Sequence, residues 1–192
     1  MSERIWTERA RLALQAAVPA LERTLAADKA RDKDTTAISA VETTLWIRAL
    51  GECYDEFAPP ELSVPQSLRA ASSDASDHKR YRLTRGLRLV GNKGVHEMIF
   101  PTSENMRYDF FQTGIISATH TYCWSPLEAW KDKIRVPRGK DLHKDYNETV
   151  AGRSVVPTLA AAISSFHDRA HRMNLQLSDA FADFDRSIMR YL

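Results

Sequence analysis

Near the middle of the chain, Arg88, Asn92 and His96 recur every four residues, with Arg85 just ahead of them. On a helix that spacing stacks each side chain one turn above the last, so two cations, an amide and an imidazole line one ridge. A guanidinium binds oxyanions and an imidazole titrates near neutrality, which gives the ridge the parts for proton transfer beside an anionic group. The same residues also suit a solvated helix face.

The element that must carry them is a helix predicted from about Lys79 to Ile99 and ended by Pro101. At about 100° per residue, Leu83, Leu87, Val90, Gly94 and Met98 fall within one arc of roughly 80°, the core face, with the ridge on the opposite side. Gly86, Gly91 and Gly94 also lie in this helix, although each costs about 1 kcal/mol relative to alanine. A close approach to the backbone, by a neighbouring helix or by a ligand, is the expected reason.

The segment Gly91-Asn92-Lys93-Gly94-Val95-His96-Glu97 resembles the signature of the HEPN superfamily, helical domains of ribonuclease toxins and defence proteins. The resemblance implies a small helical bundle with the motif on a late helix. It also implies a homodimer in which two copies of the motif form one composite, metal-independent endoribonuclease site. Asn92 matches the polar residue of that signature and His96 its histidine, with Lys93 in a supporting position. Gly91 stands where the family has arginine. That arginine stabilises the scissile phosphate, so the resemblance allows an active site or a degenerate, inactive one. Arg88 lies one turn earlier, but the seven residues between it and His96 exceed the spacing usual in the family.

In an active site of that kind, a ribose 2′-hydroxyl would attack the adjacent phosphate, which restricts the substrate to RNA. His96 would move protons, Arg88 would offset charge on the phosphoryl oxygens, and Asn92 would orient one of them. RNA and an antitoxin or defence-system protein are the implied partners, and no cofactor is needed. A non-catalytic module that binds RNA, a nucleotide or a protein on the same fold is the alternative reading.

The remaining elements read as a mainly α, small HEPN-like bundle with an inserted β-hairpin, in one domain spanning residues 1–192. Trp6, Ala10, Ala13, Leu14, Ala17, Leu21 and Leu25 recur at helical spacing from Arg4 to Ala30, with Pro19 a possible kink. Thr35 or Thr36 caps a second helix from Ala37 to about Phe57. That helix is apolar over more than half its circumference, as a central core helix or a dimer contact would be. Glu42 falls within the apolar arc and needs a partner, for which an arginine of the third helix is the obvious candidate; a structural ion pair or a catalytic acid both fit.

Residues 58–79 read as an exposed loop rich in proline and small polar residues. Tyr108 to Gln112 and Ile115 to Trp124 flank Thr113-Gly114 and predict a hairpin over 107–124. Ser125 to Asn147, broken by Pro126, Pro137 and Gly139, reads as irregular. C-terminal helices follow over 154–192, the first starting near Ser154 with Leu159, Ile163, Phe166, Ala170 and Met173 as its core stripe.

Composition narrows the classes. Lys plus Arg exceed Asp plus Glu by 27 to 25, a net charge of +2 that makes no general case for nucleic acid, so a basic site must be local. The two cysteines, Cys53 and Cys123, have no second cysteine at motif spacing, which argues against a disulfide framework or thiolate metal site and for a reducing cytoplasm. No apolar run is long enough to span a bilayer. His167 and His171, four apart with Asp168 between them, lack a third metal ligand, so no metal site is expected. Tyr122, Trp124 and Trp130 are expected to pack the hairpin onto the bundle, although such aromatics also stack bases. Glycine-rich phosphate loops and nucleophile-elbow motifs are absent from the sequence.

Overall fold

The computed structural model describes residues 3–57, 75–97, 102–110, 116–129 and 140–172. Among them are five α-helices, α1 (Glu3–Ala30), α2 (Lys33–Phe57), α3 (Ala75–Glu97), α4 (Lys140–Thr149) and α5 (Val155–Arg172), with strands β1 (Thr102–Phe110) and β2 (Ile116–Trp124) between α3 and α4. The fold is mainly α.

α1 buries Ala10, Ala13, Leu14, Ala17, Ala20 and Leu21 along one face. Mostly alanine, this face lets α1 lie close against α2. The helix continues through Pro19, which is exposed, so the backbone bond that proline cannot make is lost on the solvent side. Two residues join α1 to α2. Arg31 takes the left-handed conformation (φ 58°) while Asp32 N–H donates to Ala27 O at 3.0 Å and Arg31 N–H to Asp28 O at 3.1 Å, a Schellman-type end. Asp32 also opens α2. Its carboxylate accepts from Thr35 N–H at 3.0 Å and from the Thr35 hydroxyl at 2.7 Å. The cap is therefore Asp32, and the helix starts at Lys33 rather than Ala37, because an aspartate held on two hydrogen bonds satisfies the first turn better than either threonine.

α2 packs against α1, α3 and α5. Much of its wide apolar arc serves three internal partners, with Ile47, Leu50 and Tyr54 fully buried, while Ile38 stays exposed. Tyr54 reaches α5, its hydroxyl donating to Phe166 O at 3.0 Å and its ring 5.2 Å from the Phe166 ring. Buried hydroxyls along α1 and α2 turn back onto their own helices: Thr24 donates to Ala20 O, Thr43 to Ser39 O and Thr44 to Val41 O. The core therefore includes a polar seam without unmet donors at those positions.

β1 and β2 pair antiparallel from Thr102↔Trp124 to Phe110↔Ile116, and residues 111–115 lie outside the described residues. The hairpin begins at Thr102, not 107, since Thr102 to Asn105 carry no apolar alternation and are held by pairing with β2. Tyr122 and Trp124 are buried, and Tyr122 fixes the hairpin to the α1–α2 corner. Its N–H donates to the Asp28 carboxylate and its hydroxyl to Arg31 O, both at 3.0 Å.

Two further expectations are corrected. α3 begins at Ala75, so the last five residues of the expected 58–79 loop are helical, while 58–74 lie outside the described residues. Residues 140–149 form α4 instead of irregular chain. Pro126, Pro137 and Gly139 all precede Lys140, and beyond them Asp145, Tyr146, Thr149 and Val150 share one buried helix face. α5 starts at Val155, one residue after the expected start; the tail 173–192, with Met173, and also Trp130 lie outside the described residues. No helix among the described residues is long and apolar enough to cross a membrane.

Candidate functional site

α3 is wedged between α2 and α4. In each contact a glycine allows a close approach. A β-carbon at Gly86 would stand 2.9 Å from Val150 Cγ2 and 3.0 Å from the Tyr146 α-carbon, and one at Gly91 would stand 3.2 Å from Thr44 O. The close approach read from these glycines is thus between helices. Leu87 and Val90 are buried as expected, and Leu89 is buried as well, so the core arc of α3 is wider than the one predicted.

Gly91 occupies the position at which the motif arginine would stand, and that position is buried against α2. A long cationic side chain there would need room that the Thr44 backbone fills.

The cations of the ridge are drawn to its two flanks. Arg85 lies toward α4, with its guanidinium 5.6 Å from the Tyr81 ring centre and its Nε 3.2 Å from Asp145 Oδ2. That separation makes an ion pair, but the angle makes no hydrogen bond, and Oδ2 has no other partner among the described residues. Asp145 Oδ1 accepts from Arg82 Nε at 2.7 Å, and Arg82 also pairs with Glu148. Asp145 foremost, then Glu148, hold the Arg82 guanidinium more firmly charged than usual. Asp145 is buried while both arginines stay partly exposed, so the cluster fastens α3 to α4.

Arg88 lies toward α2. A β-carbon on Gly51 would meet its Nη2 at 2.5 Å and its Cζ at 3.2 Å, so the guanidinium occupies the space beside the Gly51 backbone. Asn92, Lys93 and His96 follow on the same helix, and their side chains lie outside the described residues. Arg85 and Arg88, read as neighbours on one ridge, thus have separate surroundings.

Glu42 pairs with Arg23 of α1 at 2.6 Å, not with an arginine of α3. Both side chains are about half exposed, so Glu42 sits at the margin of the apolar arc and contributes an ordinary surface ion pair. His167 Nδ1 is 3.8 Å from Asp168, whose carboxylate pairs with Arg80 at 2.6 Å. No group of three metal-ligating side chains occurs among the described residues. Tyr122 and Trp124 are packed within the core, where they are unavailable to stack a base.

Sequence reasoning missed Arg82, Asp145 and Glu148. What local signal there was is the four-residue spacing of Asp145 to Thr149 and of Tyr146 to Val150, an amphipathic pattern that does not reveal which helix the acid pairs with. In comparisons with known proteins, no family model, no curated protein and no solved structure matches the chain.

Proposed function

We propose that this chain is an HEPN-like RNA-targeting domain of the toxin or defence kind whose α3 ridge holds RNA without cutting it. The reading rests on the Asn92-x-x-x-His96 likeness carried by a helix that runs from Ala75 to Glu97. The loss of cleavage is supported by one observation, the contact between Gly91 and the Thr44 carbonyl. The motif cation is missing from a position where α2 leaves it no space. Without a cation fixed beside the histidine, charge developing on a phosphoryl oxygen goes unmatched, and a preorganised charge of this kind is worth several orders of magnitude in rate.

In this reading Arg88, at the α2 edge of the ridge, supplies the phosphate contact, and Asn92 and His96 supply hydrogen bonds. A second copy of the chain is the expected partner in assembly, and an antitoxin or defence-system protein the expected partner in regulation.

Binding of fluorescently labelled single-stranded RNA, followed by anisotropy in EDTA at low and moderate salt, tests the proposal. RNA bound by the full chain, weakened in Arg88→Ala and in Asn92→Ala and falling with salt, is the expected result. Absence of binding at low salt would overturn it.

A further inference from the structure

Away from the ridge, the start of α3, the end of α4 and the start of α5 enclose a cleft of about 520 Å³, the size of a small-molecule site. Its floor is apolar, formed by Leu83 of α3 and by Pro157 and Ala161 of α5. Its rim is cationic, formed by Lys79 and Arg80 of α3 and by Arg153 of the α4–α5 turn, and among the described residues no acidic side chain lines it.

Two of these cations have no carboxylate partner among the described residues. Arg153 donates to a backbone oxygen, Glu148 O, at 3.3 Å, and Lys79 makes no ion pair with a described residue. Arg80 is held by Asp168, but both side chains are nearly half exposed, and such a pair exchanges readily for a better anion. Ser154, immediately before α5, also lines the cleft.

We propose that this cleft binds a small phosphomonoester with an apolar body. A phosphomonoester carries close to two negative charges at neutral pH, matching the two uncommitted cations, and its body would cover Leu83, Pro157 and Ala161. A bare inorganic anion leaves that floor wet. A neutral apolar molecule leaves the rim unpaired. The site is separate from the α3 ridge and does not depend on the RNA reading.

Calorimetric titration of the full chain with 1-naphthyl phosphate, inorganic phosphate and 1-naphthol tests this. Naphthyl phosphate is expected to bind at least about tenfold more tightly than either fragment. Arg153→Glu, a change at an exposed turn, is expected to weaken naphthyl phosphate about tenfold or more with the circular dichroism spectrum unchanged. Ala161→Phe, which fills the floor, is expected to reduce naphthyl phosphate to the level of inorganic phosphate. Equal binding of naphthol and naphthyl phosphate, or an affinity indifferent to Arg153→Glu, would overturn the proposal.

Discussion

The backbone of Gly91 rests against the carbonyl of Thr44, with 3.2 Å between that oxygen and the point a β-carbon would occupy. Two helices meet there by dispensing with a side chain, at the position where the signature that the sequence resembles has arginine. In the proposed reading, the fold contact and the loss of a catalytic cation are the same feature.

Gly91→Arg is for this reason expected to unfold the α2–α3 contact rather than to restore cleavage. Overpacking together with a buried charge should lower stability by about 2 kcal/mol or more. Gly91→Ala should cost less, because the gain in helix propensity of about 1 kcal/mol offsets part of the crowding. Chemical denaturation of the two variants measures both.

Gly51→Ala probes Arg88 without removing it. The added methyl group meets only the far end of that flexible side chain, so the guanidinium must move while the helix gains about 1 kcal/mol in propensity. Stability held or raised, with RNA affinity altered in the direction of Arg88→Ala, is expected from paired denaturation and anisotropy measurements.

Asp145→Ala should destabilise the protein by about 2–3 kcal/mol, since Arg82 and Arg85 lose the buried carboxylate that both pair with. The arginines are partly exposed and recover some hydration, which keeps the loss below that of a fully buried pair. Thermal melting gives the number. A change smaller than that of the exposed Glu42→Ala would contradict the fastening role of Asp145.

Acid should loosen the α1–α2 corner. Hydrogen bonds from the Thr35 hydroxyl, then from the Thr35 N–H, hold the Asp32 carboxyl below the usual carboxylate range. A carboxylate favoured by folding stabilises the protein above its unfolded-state pKa and ceases to do so as pH falls through its folded-state value. Stability due to this cap is thus complete above about pH 4 and lost below it. Asp32→Asn keeps a capping oxygen and should flatten that part of the pH profile of thermal melting.

Helices α1, α2, α3 and α5 were legible because their apolar residues recur at helical spacing, as Leu14, Leu21, Leu50, Leu87 and Leu159 do. α4 was not. Its buried face includes Asp145, a polar residue whose place in the core depends on arginines sixty residues earlier, and local pattern carries no trace of such a pairing. Ridge geometry failed for a related reason. The helical wheel sets Arg85 and Arg88 on one side of α3, but it has no knowledge of α4 on one flank and Gly51 on the other. Gly86 and Gly91 were the most informative residues, since three glycines in one helix signalled a close neighbour before either helix contact was seen.

Incubation of labelled RNA with the full chain and with His96→Ala in EDTA tests the central claim most directly. The account predicts that RNA stays intact with both proteins at concentrations where the full chain binds it. Cleavage by the full chain that disappears in His96→Ala would contradict it, and would mean that a cation other than one at position 91 completes a working site.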